Sequence, residues 1–107
     1  MAWALLVVAG LFEIAWAVGL KYTDGFSKPL PTALVVGAMI ASVWLLAIAL
    51  RTIPVGTGYA VWTGIGAVGT AILGMALFSE SRDILRILCI LLIVAGIVGL
   101  KLVTPDA

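Results

Sequence analysis

The stretch AWALLVVAGLFEIAWAVGL, residues 2–20, carries one charged side chain, Glu13, in an otherwise apolar run. A helix needs about 20 apolar residues to cross the roughly 30 Å hydrocarbon core of a bilayer. Three more apolar runs of this kind follow, at about residues 32–50, 58–78 and 84–103. The sequence therefore predicts an all-α membrane protein, with four transmembrane helices in a single domain over residues 1–107.

Composition excludes several classes of function. With 64% hydrophobic and 10% charged residues, the chain lacks the polar surface that a soluble domain needs. A net charge of +1 gives no basic patch for nucleic acid, and a chain without histidine and with one cysteine offers neither a metal cluster nor an internal disulfide. No glycine-rich segment ends in the GK[ST] of a phosphate-binding loop. We therefore expect no cofactor and no nucleic-acid partner.

The first run has no basic segment before it and an acid within it, so a removable signal peptide is not expected either.

The loops bear on the orientation of the chain in the membrane. The segments YTDGFSKPLP, RTIPVGT and SESRD contain the turn formers and most of the charge, and they are short, so neighbouring helices are antiparallel. The basic residues then divide four to two between the two sides of the membrane. One side has Lys21, Lys28, Arg82 and Arg86, and the other has Arg51 and Lys101. So small a bias is compatible with insertion in both orientations, while a single fixed orientation is the alternative.

Glu13 is the first candidate functional residue. It precedes the end of its run by about seven residues, which places it about 10 Å inside the apolar layer at the helical rise per residue. An ionised side chain at such a depth costs several kcal/mol and by default indicates a functional site. The alternative is a protonated acid that hydrogen-bonds a neighbouring helix. A carboxyl group that binds either a proton or an organic cation is the minimum requirement for proton-coupled antiport, so we expect a secondary active transporter rather than an enzyme.

Aromatic and hydroxyl side chains accompany the acid. Trp16 follows Glu13 by three residues on the same helix face, and Tyr59 and Trp62 repeat that spacing in the third run. Aromatic faces attract cations, and the N–H and O–H groups can hold a carboxylate. Ser42 adds a hydroxyl in the second run. We predict that these five residues bind an organic cation and the proton, although Tyr59 could instead anchor the interface and Ser42 could bond its own helix.

Small residues in the last two runs suggest bending and association. Gly64 and Gly66 are the predicted bend of the third helix, because paired glycines weaken a helix. The fourth run contains Cys89 and Gly96 and suits helix–helix packing, with Cys89 an inert packing residue. Four helices enclose little space, so we expect an oligomer. An antiparallel homodimer of a dual-topology chain would supply the inverted repeat that transporters use.

Three motifs in three runs carry a resemblance to a known family: FEIAWAVGLKYTDGF, PVGTGYAVWTGIGAVG and LIVAGIVGLKLV. Over essentially the whole chain the sequence is similar to the small multidrug resistance family. It most resembles the guanidinium-exporter subtype, because Trp16 stands where the quaternary-ammonium multidrug subtype usually has a small residue. Gly58 departs from the alanine expected in GTAYAVWTG.

The resemblance implies proton-coupled export of guanidinium by an antiparallel homodimer in the inner membrane of a bacterium. Proton and substrate would share Glu13. Trp16 and Ser42 would hydrogen-bond and orient that acid, Tyr59 would line the pocket, and Trp62 would form its wall.

The resemblance also implies a bend at Gly64 to Gly66 and a dimer contact at Gly96. Three alternatives stay open from the residues alone. One is a multidrug exporter of quaternary ammonium compounds, another is a non-transporting membrane subunit that needs a paralogous partner, and the third is a channel. A planar, donor-rich guanidinium suits one acid with ordered donors better than a quaternary ammonium does, and a single acid is typical of a binding site rather than a pore.

Overall fold

The computed structural model describes residues 1–104. It consists of four helices: α1 (Ala2–Tyr22), α2 (Pro29–Ala49), α3 (Val55–Leu77) and α4 (Ile84–Val103). No strand occurs in this part of the chain, and all four helices are long and apolar enough to cross a membrane. The prediction of an all-α, four-helix membrane protein is confirmed.

The helix ends differ from the predicted runs mainly at two prolines. Helices α2 and α3 begin at Pro29 and Val55, each three residues earlier than the apolar pattern indicated. Proline is accepted in a first helical turn because the N–H that it lacks has no helical partner there. Pro54 caps α3, and its carbonyl accepts the N–H of Gly58 at 2.8 Å. The proline-containing segments that marked loops in the sequence therefore contain the starts of helices.

Helix α1 is the centre of the packing. It lies against both α2 and α3, whereas the main neighbour of α4 is α3. The buried core has members from α1, α2, α3 and the α2–α3 loop, namely Leu6, Ala9, Leu46, Ala49, Ile53, Val61 and Trp62. Helix α4 contributes no buried residue to it.

Glycines allow the closest helix contacts. A Cβ atom at Gly10 would lie 2.6 Å from Ile65 Cγ2 and 2.9 Å from its Cβ, so α1 and α3 meet where Gly10 has only a hydrogen. A Cβ at Gly69 would overlap Ile14 in the same interface. The α1–α3 contact thus depends on small residues from both helices, as is common in membranes.

Two cation–aromatic contacts identify the two ends of the bundle. Lys21 Nζ lies 5.0 Å from the centre of the Phe78 ring, which brings the ends of α1 and α3 together. At the opposite end, Lys101 Nζ lies 4.9 Å from the centre of the Trp3 ring, where α1 begins and α4 ends. The helices therefore alternate in direction, and the basic residues fall on the sides that the sequence assigned to them.

The tight α1–α3 contact predicts the effect of a single methyl group. Gly10→Ala should destabilise the fold by about 1–3 kcal/mol, because the new Cβ meets the rigid branch point of Ile65. Thermal unfolding in detergent, followed by tryptophan fluorescence, measures the change. Gly37→Ala is the matched control, since a Cβ there meets nothing within 4 Å. Equal melting of the two variants would contradict the close contact.

Candidate functional site

Glu13 lies midway along α1 and faces α3. A Cβ atom at Gly66 would overlap the Glu13 carboxyl group, so the space for the acid exists because residue 66 is glycine. The Oε1 atom of Glu13 is buried and has no hydrogen-bond partner among residues 1–104. Buried carboxyl oxygens are normally bonded, and an exception needs a partner that the single protomer does not contain.

The glycines predicted to form a bend both lie at helix contacts. Gly66 accommodates Glu13, and a Cβ atom at Gly64 would lie 2.8 Å from Ile97 Cδ1 of α4. Helix α3 continues without a break through both residues. Packing therefore accounts for the two glycines in this conformation. A bend of α3 at these glycines stays a prediction for a second conformation of the protein.

Ser42 joins three helices about one helical turn from the acid. Its side chain is completely buried, its hydroxyl donates to the carbonyl of Ala9 at 2.7 Å, and its oxygen accepts the indole N–H of Trp62 at 3.0 Å. Ala9 precedes Glu13 by one helical turn, so its carbonyl is also the α-helical acceptor for the Glu13 N–H. This hydrogen-bonded set, Ala9, Ser42 and Trp62, fixes the turn of α1 that carries Glu13.

The partner of Ser42 differs from both sequence-based interpretations. The hydroxyl bonds neither to its own helix nor, within residues 1–104, to Glu13. A serine hydroxyl has one proton to donate, and here the Ala9 carbonyl takes it. A Ser42–Glu13 hydrogen bond therefore requires the hydroxyl to turn away from Ala9. The role of Ser42 in orienting the acid remains a prediction.

Trp16 lies on the Glu13 face of α1. Its ring packs partly against the core, and its indole N–H is buried without a hydrogen-bond partner in the described chain. An unsatisfied donor and an unsatisfied acceptor thus occur one turn apart on one helix. Each costs free energy when left unpaired in a dry environment, and a carboxylate has about four lone-pair positions that can accept such donors.

The two aromatic residues of α3 have different environments. The rings of Tyr59 and Trp62 lie 5.6 Å apart between centres and are tilted by 49°. Trp62 is 8% exposed and belongs to the core, whereas Tyr59 is 56% exposed. The hydrogen bond to Ser42 thus fixes the buried Trp62 ring. The neighbouring Tyr59 ring is exposed, so it is available both to a ligand and to an interface.

Helix α4 presents the residues predicted for association. Cys89 is exposed, and a Cβ atom at Gly96 would meet nothing within 4 Å. Nothing in residues 1–104 covers this side of the protomer, and association through it stays a prediction. No three side chains of the metal-ligating types converge in the described residues.

Comparison with known proteins bears directly on this arrangement of four apolar helices around one acid. The sequence model of the family described as Small Multidrug Resistance protein matches residues 1–93. The chain belongs to the small multidrug resistance family. Membership agrees with the predicted family and makes the protein a multi-pass membrane transporter rather than an enzyme.

Among relatives, the guanidinium-exporter subtype is represented at high identity. A guanidinium exporter of Yersinia pseudotuberculosis is 61% identical over 95% of this chain and 98% of its own length. Those of Escherichia coli strain K12 and Citrobacter freundii are 59% and 57% identical over 97% of this chain and 99% of theirs. The predicted resemblance to this subtype is confirmed for this small multidrug resistance protein.

Two features of the site were not apparent in the sequence. The Ala9 carbonyl is a backbone atom, and no side-chain pattern marks it as the acceptor for Ser42. The fit of Gly66 against Glu13 depends on how α1 and α3 are rotated. Its one signal was the glycine-rich character of the third run, which suited a bend equally well.

The hydrogen bonds of Ser42 predict coupling between two residues. Ser42→Ala should cost about 1–3 kcal/mol of stability, because it leaves the buried Trp62 N–H without an acceptor and removes the hydrogen bond to the Ala9 carbonyl. Trp62→Phe should also destabilise, and the double variant should lose less than the sum, since the second change removes an interaction that is already broken. Melting temperatures of the four proteins in detergent complete the cycle. Additive losses would show that the two side chains are not coupled.

Proposed function

We propose that this transporter exports guanidinium in exchange for protons, with both cations competing for Glu13. The observation that carries the proposal is the buried, unbonded Glu13 oxygen, with the unbonded Trp16 N–H about one turn further along α1. The curated names of the relatives, each a guanidinium exporter at 57–61% identity, support the same substrate.

Guanidinium suits the groups around the acid. It is planar and presents pairs of N–H donors that a carboxylate accepts in parallel, and its flat face stacks on aromatic rings such as the exposed Tyr59. In this proposal the Trp16 N–H, which is unbonded in the structure, donates to the remaining lone pairs of the carboxylate when the cation binds. A quaternary ammonium ion has no donors and would use cation–aromatic attraction alone.

Competition between the proton and guanidinium follows from the position of Glu13 in the apolar layer. An ionised carboxylate there costs several kcal/mol, so the group requires either a bound proton or a bound cation. Occupancy by one excludes the other. Alternating access of this one site to the two sides of the membrane then exchanges the two cations across it.

A second copy of the chain completes the transporter in this proposal. Helix α4 has no buried residue in the protomer, and Cys89 and Gly96 lie on its uncovered surface. An antiparallel homodimer would cover α4 and bring the two copies into the inverted relation that places a transport site near the midplane. The bacterial sources of the relatives favour the inner membrane as its location.

The role of Glu13 can be tested by current. Glu13→Gln should abolish the transient current that a jump of guanidinium produces in proteoliposomes, since the amide binds neither the proton nor the cation. Asp24→Asn is the matched control, because it neutralises an exposed loop acid and should leave the current intact. Size-exclusion chromatography should give the same elution for both variants. Guanidinium-driven current that survives Glu13→Gln would end the proposal.

Substrate choice provides a second test. Jumps of guanidinium should produce proton-coupled current, and jumps of tetrapropylammonium should produce little, because the latter cannot donate hydrogen bonds to Glu13. A current from tetrapropylammonium alone would assign the chain to quaternary ammonium transport. No current from either would favour a subunit that needs a paralogous partner.

A further inference from the structure

A cavity of about 350 Å³ lies between α1 and α3 at the end of the bundle where α1 ends. Its innermost lining residues are Ala17 on α1 and Ala67 on α3, and Thr70 lies about one turn further out on α3. Ala17 follows Glu13 by one turn of α1, and Thr70 follows Gly66, the residue that faces Glu13, by one turn of α3. The cavity therefore begins one helical turn from the acid.

Small residues line much of the α3 wall of this cavity, and the large side chains of Lys21, Phe78, Glu80 and Arg86 lie toward its mouth. Ala17 on α1 faces Ala67, Ala71 and Gly74 on α3, and none of these has a side chain larger than a methyl group. Its volume is many times the roughly 30 Å³ that one water molecule takes up in the liquid. The space is thus large enough for several waters.

Unbonded polar atoms mark a line along the cavity. In order from the centre of the membrane outward they are Glu13 Oε1, Thr70 Oγ1 and Arg86 Nε, each buried and without a hydrogen-bond partner in residues 1–104. Thr70 and Arg86 line the cavity, and Glu13 lies one turn from its inner end. Buried polar atoms next to a cavity of sufficient size are normally satisfied by ordered water.

We propose that this cavity is a hydrated path from one membrane face to Glu13, and that the Thr70 hydroxyl is a positioning residue that holds water one turn from the acid. That the path carries protons and guanidinium rests on the proposed function. The hydroxyl bonds a water that in turn reaches Glu13 Oε1. Exchange at the carboxyl group then proceeds through water rather than through the apolar helix surface.

The charged residues at the mouth make it a passage rather than a second binding site. The Glu80 carboxylate accepts from Arg86 Nη2 at 2.8 Å, and Lys21 lies over the Phe78 ring. The two side chains of the ion pair are 40% and 43% exposed, and such pairs contribute at most about 1 kcal/mol. The ion pair therefore opens readily. With two cations and one carboxylate in the lining, the mouth does not retain a guanidinium ion.

Thiol labelling tests the hydration directly. In a Cys89→Ala background, Thr70→Cys should react with trimethylammonioethyl methanethiosulfonate about tenfold or more faster than Ile72→Cys, because the reactive thiolate forms in water and not against lipid. Ile72 is the matched control, since it is exposed on the opposite face of α3 at nearly the same depth. The reagent is present on both sides of the liposomes, so orientation does not affect the result. Equal rates would overturn the hydrated path.

Transport tests the role of the hydroxyl. Thr70→Val replaces it by a methyl group of similar size and should lower the maximal guanidinium current about two- to tenfold with an unchanged half-saturating concentration, as expected for losing one hydrogen bond. Thr70→Ser should restore the rate. Full activity in Thr70→Val, or a failure of serine to restore it, would overturn the positioning role. If the parent chain carries no guanidinium, the proposed function fails, while the labelling rates still decide whether the path contains water.

Discussion

A carboxyl group inside the apolar layer is the constraint on which the rest of this structure depends. An uncompensated charge at that depth costs several kcal/mol, which is comparable to much of the stability of a small domain. Three arrangements around Glu13 respond to this constraint. Gly66 provides space, the Ser42 hydrogen bond to Ala9 fixes the turn that carries the acid, and the adjacent cavity brings space for water within one turn.

The hydrogen bonds of Ser42 also link the three packed helices to one another. Helices α2 and α3 make little direct contact, so their relative position depends largely on the contacts that each makes with α1. Ser42 of α2 connects all three helices, because its oxygen accepts a hydrogen bond from the Trp62 N–H of α3 and its hydroxyl donates to the Ala9 carbonyl of α1. Within residues 1–104, helix α4 has no such hydrogen bond to the centre; it packs mainly on α3 and reaches α1 at its end, where Lys101 lies over the Trp3 ring. The protomer is therefore a three-helix core with a peripheral fourth helix.

Much of this architecture could be predicted from the sequence because its signals are local. Four apolar runs of the right length give the helices, and the single acid within a run identifies Glu13 without knowledge of its neighbours. The contacts of Ser42 and Gly66 could not be predicted, since they depend on how neighbouring helices are rotated about their axes. The starts of α2 and α3 were placed late because proline marks both loops and first helical turns.

The absence of a side chain at residue 66 has a consequence for how this chain can change over time. The volume that Glu13 needs on one helix is provided by a missing methyl group on another. An alanine that arises at position 66 while the acid is present meets the carboxyl group. The two positions are therefore linked. A lineage that lost the acid could acquire alanine at position 66 without meeting the carboxyl group, and would then find the acid hard to regain.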